Sequence, residues 1–267
     1  MLRFSGFGDS QVGLVRTNNE DSAYVGPTCL LVADGVGGGA AGEIASATAA
    51  YVVTAAVLAQ PECDPATVLA EGVQEAQARV RAGVLADGSR NGMATTLTAV
   101  VTDGERFALA HLGDSRGYVL HDGVLTQVTR DHTYVQDLLD EGRLEPDAVV
   151  DHPWRNVVLR TVNGTAEGEP DLIALHLEPG DRVLLASDGL TDLVGDDELT
   201  RFVLGRSDDQ AVEALVAAAL ARGGRDNVTC VVATVVDGPR GSDEGTLHGA
   251  VTDPTNVVDE NVFQLPR

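Results

Sequence analysis

Two apolar runs in this sequence end on the same dipeptide. Leu30-Leu31-Val32-Ala33 leads into Asp34-Gly35, and "VLLAS" leads into Asp188-Gly189. Asp114 follows a third apolar run in "LAHLGDSRG", Asp226 precedes a fourth in "GGRDNVT", and Glu20 and Asp21 stand together in "RTNNEDS". One aspartate at a strand end is ordinarily a turn residue. Four of them, with an adjacent acidic pair, suggest carboxylates that converge. Gathered carboxylates repel one another and take up protons unless cations neutralise them. A donor set of oxygens, without thiols or a histidine pair at ligand spacing, selects Mg²⁺ or Mn²⁺ over zinc. Two such ions about 4 Å apart form a hydrolytic centre in which a bridging water is acidified and directed at phosphorus. Arg16, four positions before Glu20, would grip two phosphate oxygens with its planar fork. Taken alone, it reads more simply as a solvated surface side chain.

The stretch "LLVADGVGGGAAGEIAS" also fits a rival chemistry. Gly35, Gly37 and Ala40 match the G-x-G-x-x-A pattern of a dinucleotide phosphate loop. That fingerprint belongs in a βαβ unit, with an acidic residue on a second parallel strand about 20 residues on. Here the following helix leads through Pro61 into another helix. Asp34 would also set an anion beside the pyrophosphate, which costs several kcal/mol at an effective dielectric near 20. A divalent cation between them reverses that sign. A third reading of the stretch is a tight strand-to-helix turn capped by Asp34.

The elements that must carry these residues follow from periodicity. "SAYVGPTCLLVAD" reads as a hairpin turning at Gly26-Pro27, residues 42–60 as a helix stopped by Pro61, and residues 65–86 as a second helix with Pro65 in its first turn. The period then changes to that of an antiparallel meander with turns at Asp103-Gly104 and Asp122-Gly123. "YVQDLLDEGR" reads as a short helix. Residues 142–165, with Pro146 and Pro153, read as an irregular excursion. "DRVLLASDG" is a strand, "DDELTRFVLG" and "QAVEALVAAALARGG" are helices, and "NVTCVVATVV" is a final strand. From Asp237 onward the chain is polar and turn-rich, and is expected to be a disordered tail over 238–267. Strands and helices come in separate runs, which predicts α+β layers around a mostly antiparallel sheet.

The bulk composition narrows the classes. With 267 residues, 43% apolar and 22% charged, the chain can bury a full core. Forty-one acidic residues face 18 basic ones, all arginine, for a net −23. Such a surface repels nucleic acid and anionic lipid. Without lysine there is no Walker loop, protein-kinase ATP site or Schiff-base chemistry. Cys29, Cys63 and Cys230 are odd in number and widely spaced, as expected of buried thiols in a reducing compartment. No apolar signal core and no uninterrupted run of about 18 apolar residues occurs. The expectation is a cytoplasmic monomer without a membrane segment.

"GLVRTNNEDS", "LLVADGVGGGAAGEIAS", "GMATTLTAV", "LGDSRGYVL", "DHTYVQDLLDEGRL", "HPWRNVVLR", "LLASDGLTD" and "GGRDNVTCVV" occur in one order over residues 5–237. In that order they resemble the bacterial metal-dependent protein phosphatases of type 2C, specific for serine and threonine. The resemblance implies a four-layer αββα sandwich of two mostly antiparallel sheets flanked by helices. It implies a catalytic domain over 1–237, with residues 142–165 as a flap beside the site. The implied activity is hydrolysis of phosphoserine and phosphothreonine on proteins by hydroxide activated at a two-metal centre, using two or three Mn²⁺ or Mg²⁺ ions. Carried over by motif, Arg16 would bind phosphate. Glu20, Asp34 and the Gly35 carbonyl would serve one metal, while Asp34, Asp188 and Asp226 would hold the other. Asp114, with Asp188, would form a third site, and Asp21 and Asn227 would support the shell. The implied partners are phosphorylated proteins, with a bacterial Ser/Thr kinase as antagonist.

Three departures stand out. Val36 and Gly39 replace the Met and His of the usual D-G-M-G-G-H, and Ala94 replaces a Gly. If the His acts as acid for the leaving alkoxide, worth about 10²–10⁴-fold, its loss opens an alternative. That alternative is a phosphatase-like regulatory module with weak or no turnover. A nucleotide-binding oxidoreductase is the third possibility, and would require saturable NAD(P)H binding.

Overall fold

The computed structural model describes residues 1–36, 41–165, 168–239 and 245–258. In chain order the strands and helices are β1 (Leu2–Gln11), β2 (Ser22–Val25), β3 (Cys29–Ala33), β4 (Gly35–Val36), α1 (Gly42–Ala59), α2 (Pro65–Ala86), β5 (Ala94–Thr95), β6 (Leu97–Thr102), β7 (Phe107–Leu112), β8 (Arg116–His121), β9 (Val124–Gln127), α3 (Tyr134–Asp140), β10 (Asp171–Leu175), β11 (Arg182–Ala186), α4 (Asp188–Thr191), α5 (Asp196–Val203), α6 (Asp208–Ala221), β12 (Val228–Asp237) and β13 (Thr246–Gly249).

The strands form a five-stranded sheet, β1-β12-β11-β8-β9, and a six-stranded sheet, β10-β7-β6-β3-β2-β13. Every pairing in both is antiparallel. Side chains alternate between the faces of each strand. Cys29, Leu31 and Ala33 therefore pack toward α1 and α2, in a cluster with Val53, Leu69 and Val73. Leu30 and Val32 point the other way and meet Val183, Leu185 and Val231 of the opposite sheet. Leu184, Cys230 and Val232 face a third layer with Leu199, Leu215 and Ala219 of α5 and α6. Three apolar layers between four structural layers make the expected αββα sandwich. Strands buried on both faces explain why these segments read as continuous apolar runs.

α1 is long and apolar enough to cross a membrane by length and composition, but two thirds of it is buried and it packs on α2 and β3 as a core helix. Asp64 caps α2 by accepting from the Thr67 N–H at 3.1 Å, with Pro65 in the first turn as the sequence predicts.

The expectation of a disordered tail from 238 onward is corrected for residues 245–258. Thr246–Gly249 pair with Ser22–Val25 as the outermost strand of the six-stranded sheet, and Ala250 and Val251 bury against α1. A four-residue strand lying on an existing edge needs no strong period of its own, since the partner supplies its register. The same reason hid β10, which borders β7 at the other edge.

Candidate active site

The register of the two sheets brings the acidic turns to one end of the sandwich. Ala186, the last residue of β11, pairs with Arg116 at the start of β8 and with Cys230 near the start of β12. Gln11 at the end of β1 pairs with Val228. In the other sheet Val32 near the end of β3 pairs with Thr98, and Leu97 with Leu112 at the end of β7. Asp34, Asp114, Asp188 and Asp226 each lie within two residues of these positions, and the Glu20-Asp21 pair immediately precedes Ser22, which pairs with Ala33, so all share that end.

Their mutual influence shows that they are close. Burial first, then Asp21, Asp188, Asp114 and Asp226, pushes Asp34 well above the ordinary carboxylate range. Burial, then Asp114, Asp192, Asp226 and Asp21, does the same to Asp188. Asp114 rises to about 7 and Asp21 to about 6, each chiefly through burial. Glu20 is raised by burial and by Glu43. These side chains nevertheless stop short of a closed cage. Among the described residues no three His, Cys, Asp or Glu stand at ligating spacing. Like charges raise one another's pKa and also hold one another apart.

The turns are pinned individually. The Asp34 N–H donates to Thr96 Oγ1 at 2.9 Å, and its carbonyl accepts from the Thr96 N–H at 2.8 Å and Thr95 Oγ1 at 2.9 Å. Gly35 must be glycine, because a β-carbon there would fall 2.5 Å from the Gly42 carbonyl and 2.6 Å from that of Glu20. Gly189 is likewise pressed onto Asn227, whose carbonyl would lie 1.9 Å from a β-carbon. Asn227 ties the N-terminal loop down. Its Nδ2 donates to the Val12 and Asn18 carbonyls at 2.9 Å each, and its Oδ1 accepts from the Glu20 N–H at 2.8 Å. Asp21 is buried, with Oδ2 accepting from Ser187 Oγ at 2.9 Å, while its buried Oδ1 has no hydrogen-bond partner among the described residues.

Arg16 reaches the cluster from the loop after β1. One of its terminal nitrogens (Nη2) donates to Asp226 Oδ2 at 2.8 Å, and the Asp226 Oδ1 accepts from the Asn227 N–H. Arg16 remains half exposed, so its other donors are open to a ligand. Three of the histidines are engaged elsewhere. His111 bonds Thr98 and the Arg130 carbonyl. His132 accepts from the Gly113 N–H and faces Asp171, and His121 pairs with Asp181. Gly39, with Gly37 and Ala40, lies outside the described residues.

Asp192 was missed by sequence reasoning. It lines a cavity of about 260 Å³ together with Asp114, Asp188, Arg116, Val150 and Arg155, and burial raises its pKa. The signal was present, since Asp188 and Asp192 are four apart and share one helix face. Arg116, bonded through two nitrogens to Asp131 at 2.6–3.0 Å, buttresses the same cavity.

The raised carboxylates make stability depend on pH. In chelator, folded Asp114 at about 7 and Asp21 at about 6 hold protons that the unfolded chain, at 3.8, has already lost. Stability therefore declines as pH rises from about 4 through 7. The melting temperature in EDTA is expected to be several degrees lower at pH 8 than at pH 5.5 by scanning fluorimetry, and Mn²⁺ at pH 8 should restore it. Equal melting temperatures at both pH values in EDTA would show that the cluster is not electrostatically strained.

Comparison with known proteins gives a consistent pattern. The family model for protein phosphatase 2C matches residues 16–237. The serine/threonine protein phosphatase PstP of Mycobacterium tuberculosis is 42% identical over 252 residues, covering 94% of this chain and 48% of that protein. The chain thus spans about half the length of this relative. The serine/threonine phosphatase stp of Listeria monocytogenes is 32% identical over 232 residues, covering 82% of this chain and 91% of the relative. The crystal structure of M. tuberculosis PstP superposes with a TM-score of 0.82, covering 88% of this chain and all of the other. The PstP catalytic domain in complex with two manganese ions superposes at 0.81, with 42% identity over 89% of this chain and all of the other.

Proposed function

This chain belongs to the protein phosphatase 2C family, and from that premise we propose that it hydrolyses phosphoserine and phosphothreonine esters on proteins in a metal-dependent reaction. The observation that carries the reading is the convergence of Asp34, Asp114, Asp188 and Asp226 at one end of the sandwich, where burial and neighbouring carboxylates raise Asp34, Asp188 and Asp114. The donors fit Mn²⁺ or Mg²⁺. They are hard oxygens, and among the described residues the buried Asp21 Oδ1 behind them has no hydrogen-bond donor.

Asp34, Asp188 and Asp226 would hold one ion, and Glu20, Asp34 and the Gly35 carbonyl a second. Asp114 with Asp188 would hold a third, weaker one. When bound, the ions supply Lewis acidity, acidifying water and offsetting charge on phosphoryl oxygens. The protein's own groups do the rest. Arg16 orients the phosphoryl group through the donors that Asp226 leaves open. Asn227 fixes the Arg16 loop to the Asp226 turn, so that the guanidinium and the carboxylates keep one spacing. Asp21 and Ser187 brace the turns beneath. Its substrates would be phosphoproteins made by a Ser/Thr kinase.

The test is turnover of phosphothreonine and phosphotyrosine peptides with Mn²⁺ and with EDTA. The expected result is Mn²⁺-dependent hydrolysis of phosphothreonine, faster than phosphotyrosine, and none in EDTA. Turnover that survives EDTA would overturn the reading.

A further inference from the structure

Thirteen large apolar side chains are exposed among the described residues. Three lie in residues 12–15 and four in residues 150–159. More than half of the exposed apolar surface residues therefore come from two short stretches, and both adjoin the acidic cluster. The first leads directly into Arg16, which bonds Asp226. The second places Val150 and Arg155 in the cavity with Asp114 and Asp188, and Arg155 lies 3.9 Å from Asp192.

Neither stretch is loose. Gly13 has φ +83°, and a β-carbon there would fall 2.1 Å from the Asp226 carbonyl. The Leu14 N–H donates to the Gly224 carbonyl at 2.7 Å, and Asn227 holds Val12 and Asn18 on either side. Leu14 and Val15 are thus presented at 67% and 66% exposure by a tightly tethered backbone. On the other stretch Trp154, 57% exposed, is set edge-on to Tyr134 with ring centroids 5.2 Å apart, and its backbone N–H donates to His152 Nδ1 at 3.2 Å. Fixed, exposed apolar side chains concentrated beside a reaction site mark a contact surface rather than random surface composition.

We propose that Leu14 and Val15 are specificity-determining residues that receive apolar side chains flanking the phosphorylated residue of the substrate, with Val150 and Trp154 receiving those on the other flank. This rests on the phosphatase reading and deepens it. The occupant is fixed by continuity. Arg16 orients the phosphoryl group, Val15 is its chain neighbour, and successive residues of an extended peptide are about 3.5 Å apart, so residues one to three positions from the phosphothreonine reach this surface. Charge supports the same substrate class. At a net −23, the protein disfavours acidic flanks and leaves apolar or basic ones.

The experiment compares kcat/KM in Mn²⁺ for two phosphothreonine peptides, one with Leu and Val at the flanking positions and one with Ser and Gln. Wild type is expected to prefer the apolar peptide about tenfold, the effect of partly burying two such side chains. Leu14→Ser/Val15→Ser should bring the ratio to within about twofold of one. Leu85→Ser, which removes an exposed leucine on α2, should keep the wild-type ratio. Because the readout is a ratio within one protein, a partly unfolded variant does not mimic the effect. A wild-type ratio near one, or an unchanged ratio in the double variant, overturns the inference while leaving the phosphatase reading standing. Absence of Mn²⁺-dependent hydrolysis of both peptides by wild type overturns the phosphatase reading, and this inference with it.

Discussion

Asp34→Asn and Asp188→Asn each reduce Mn²⁺-dependent hydrolysis of a phosphothreonine peptide by about 10³-fold or more, the loss expected when a metal site worth several kcal/mol of transition-state stabilisation is dismantled. Both side chains sit where burial and four other carboxylates raise their pKa. An amide offers one neutral oxygen in place of an anion, so the attraction that outweighs the assembled negative charge falls. The same substitutions should have the opposite effect on the metal-free fold. Removing one of several mutually repelling anions relieves the native state, and each variant should melt higher than wild type in EDTA at pH 8. The pair of measurements separates a ligand from a residue that merely holds the fold. A structural aspartate would lose stability on substitution in both conditions. Normal rates in either variant would remove the basis for a carboxylate-held metal centre.

Arg16→Ala is expected to lower kcat/KM by about 10²–10³-fold, from the loss of two charge-assisted hydrogen bonds to the phosphoryl group. Arg16→Lys should recover only part of this, because a single ammonium cannot match the planar fork. The structure gives the residue a second duty, since its terminal nitrogen bonds Asp226 at 2.8 Å. That pair is close to half exposed, so it contributes little to stability. The melting temperature of Arg16→Ala should therefore stay within a few degrees of wild type. Steady-state kinetics of the phosphothreonine peptide measures the first effect, and scanning fluorimetry the second. A variant with wild-type kcat/KM would relegate Arg16 to the solvated surface side chain that its isolated position in the sequence suggests.

Much of this arrangement was legible in the sequence, for identifiable reasons. The strands at the centre of both sheets are buried on both faces, and so announced themselves as apolar runs ending in aspartate. α1 and α2 carried proline and turn signals at their boundaries, and the structure places them at 42–59 and 65–86. Elements whose existence depends on a partner were not legible. β10 and β13 are short edge strands whose pairing is supplied by β7 and β2. In the site, the strand-end aspartates could be read because each broke an apolar run. Asp192 broke none and escaped notice, although its spacing from Asp188 was the helical one. Nor could the sequence show that Arg16 meets Asp226, 210 positions away, because that contact depends on β1 lying beside β12 along its full length.

Asp34 hangs from the six-stranded sheet, Asp188 and Asp226 hang from the five-stranded one, and Asp114 sits in the turn from β7 to β8 that passes between them; among the described residues no strand pairing joins the two sheets. What sets the distance between the two halves of the cluster is the apolar layer of Leu30, Val32, Val100, Leu185 and Val231 wedged between them. Close-packed interiors deform little under load. That layer therefore acts as a spacer gauge for the chemistry at its rim, although none of its side chains touches an ion or a substrate.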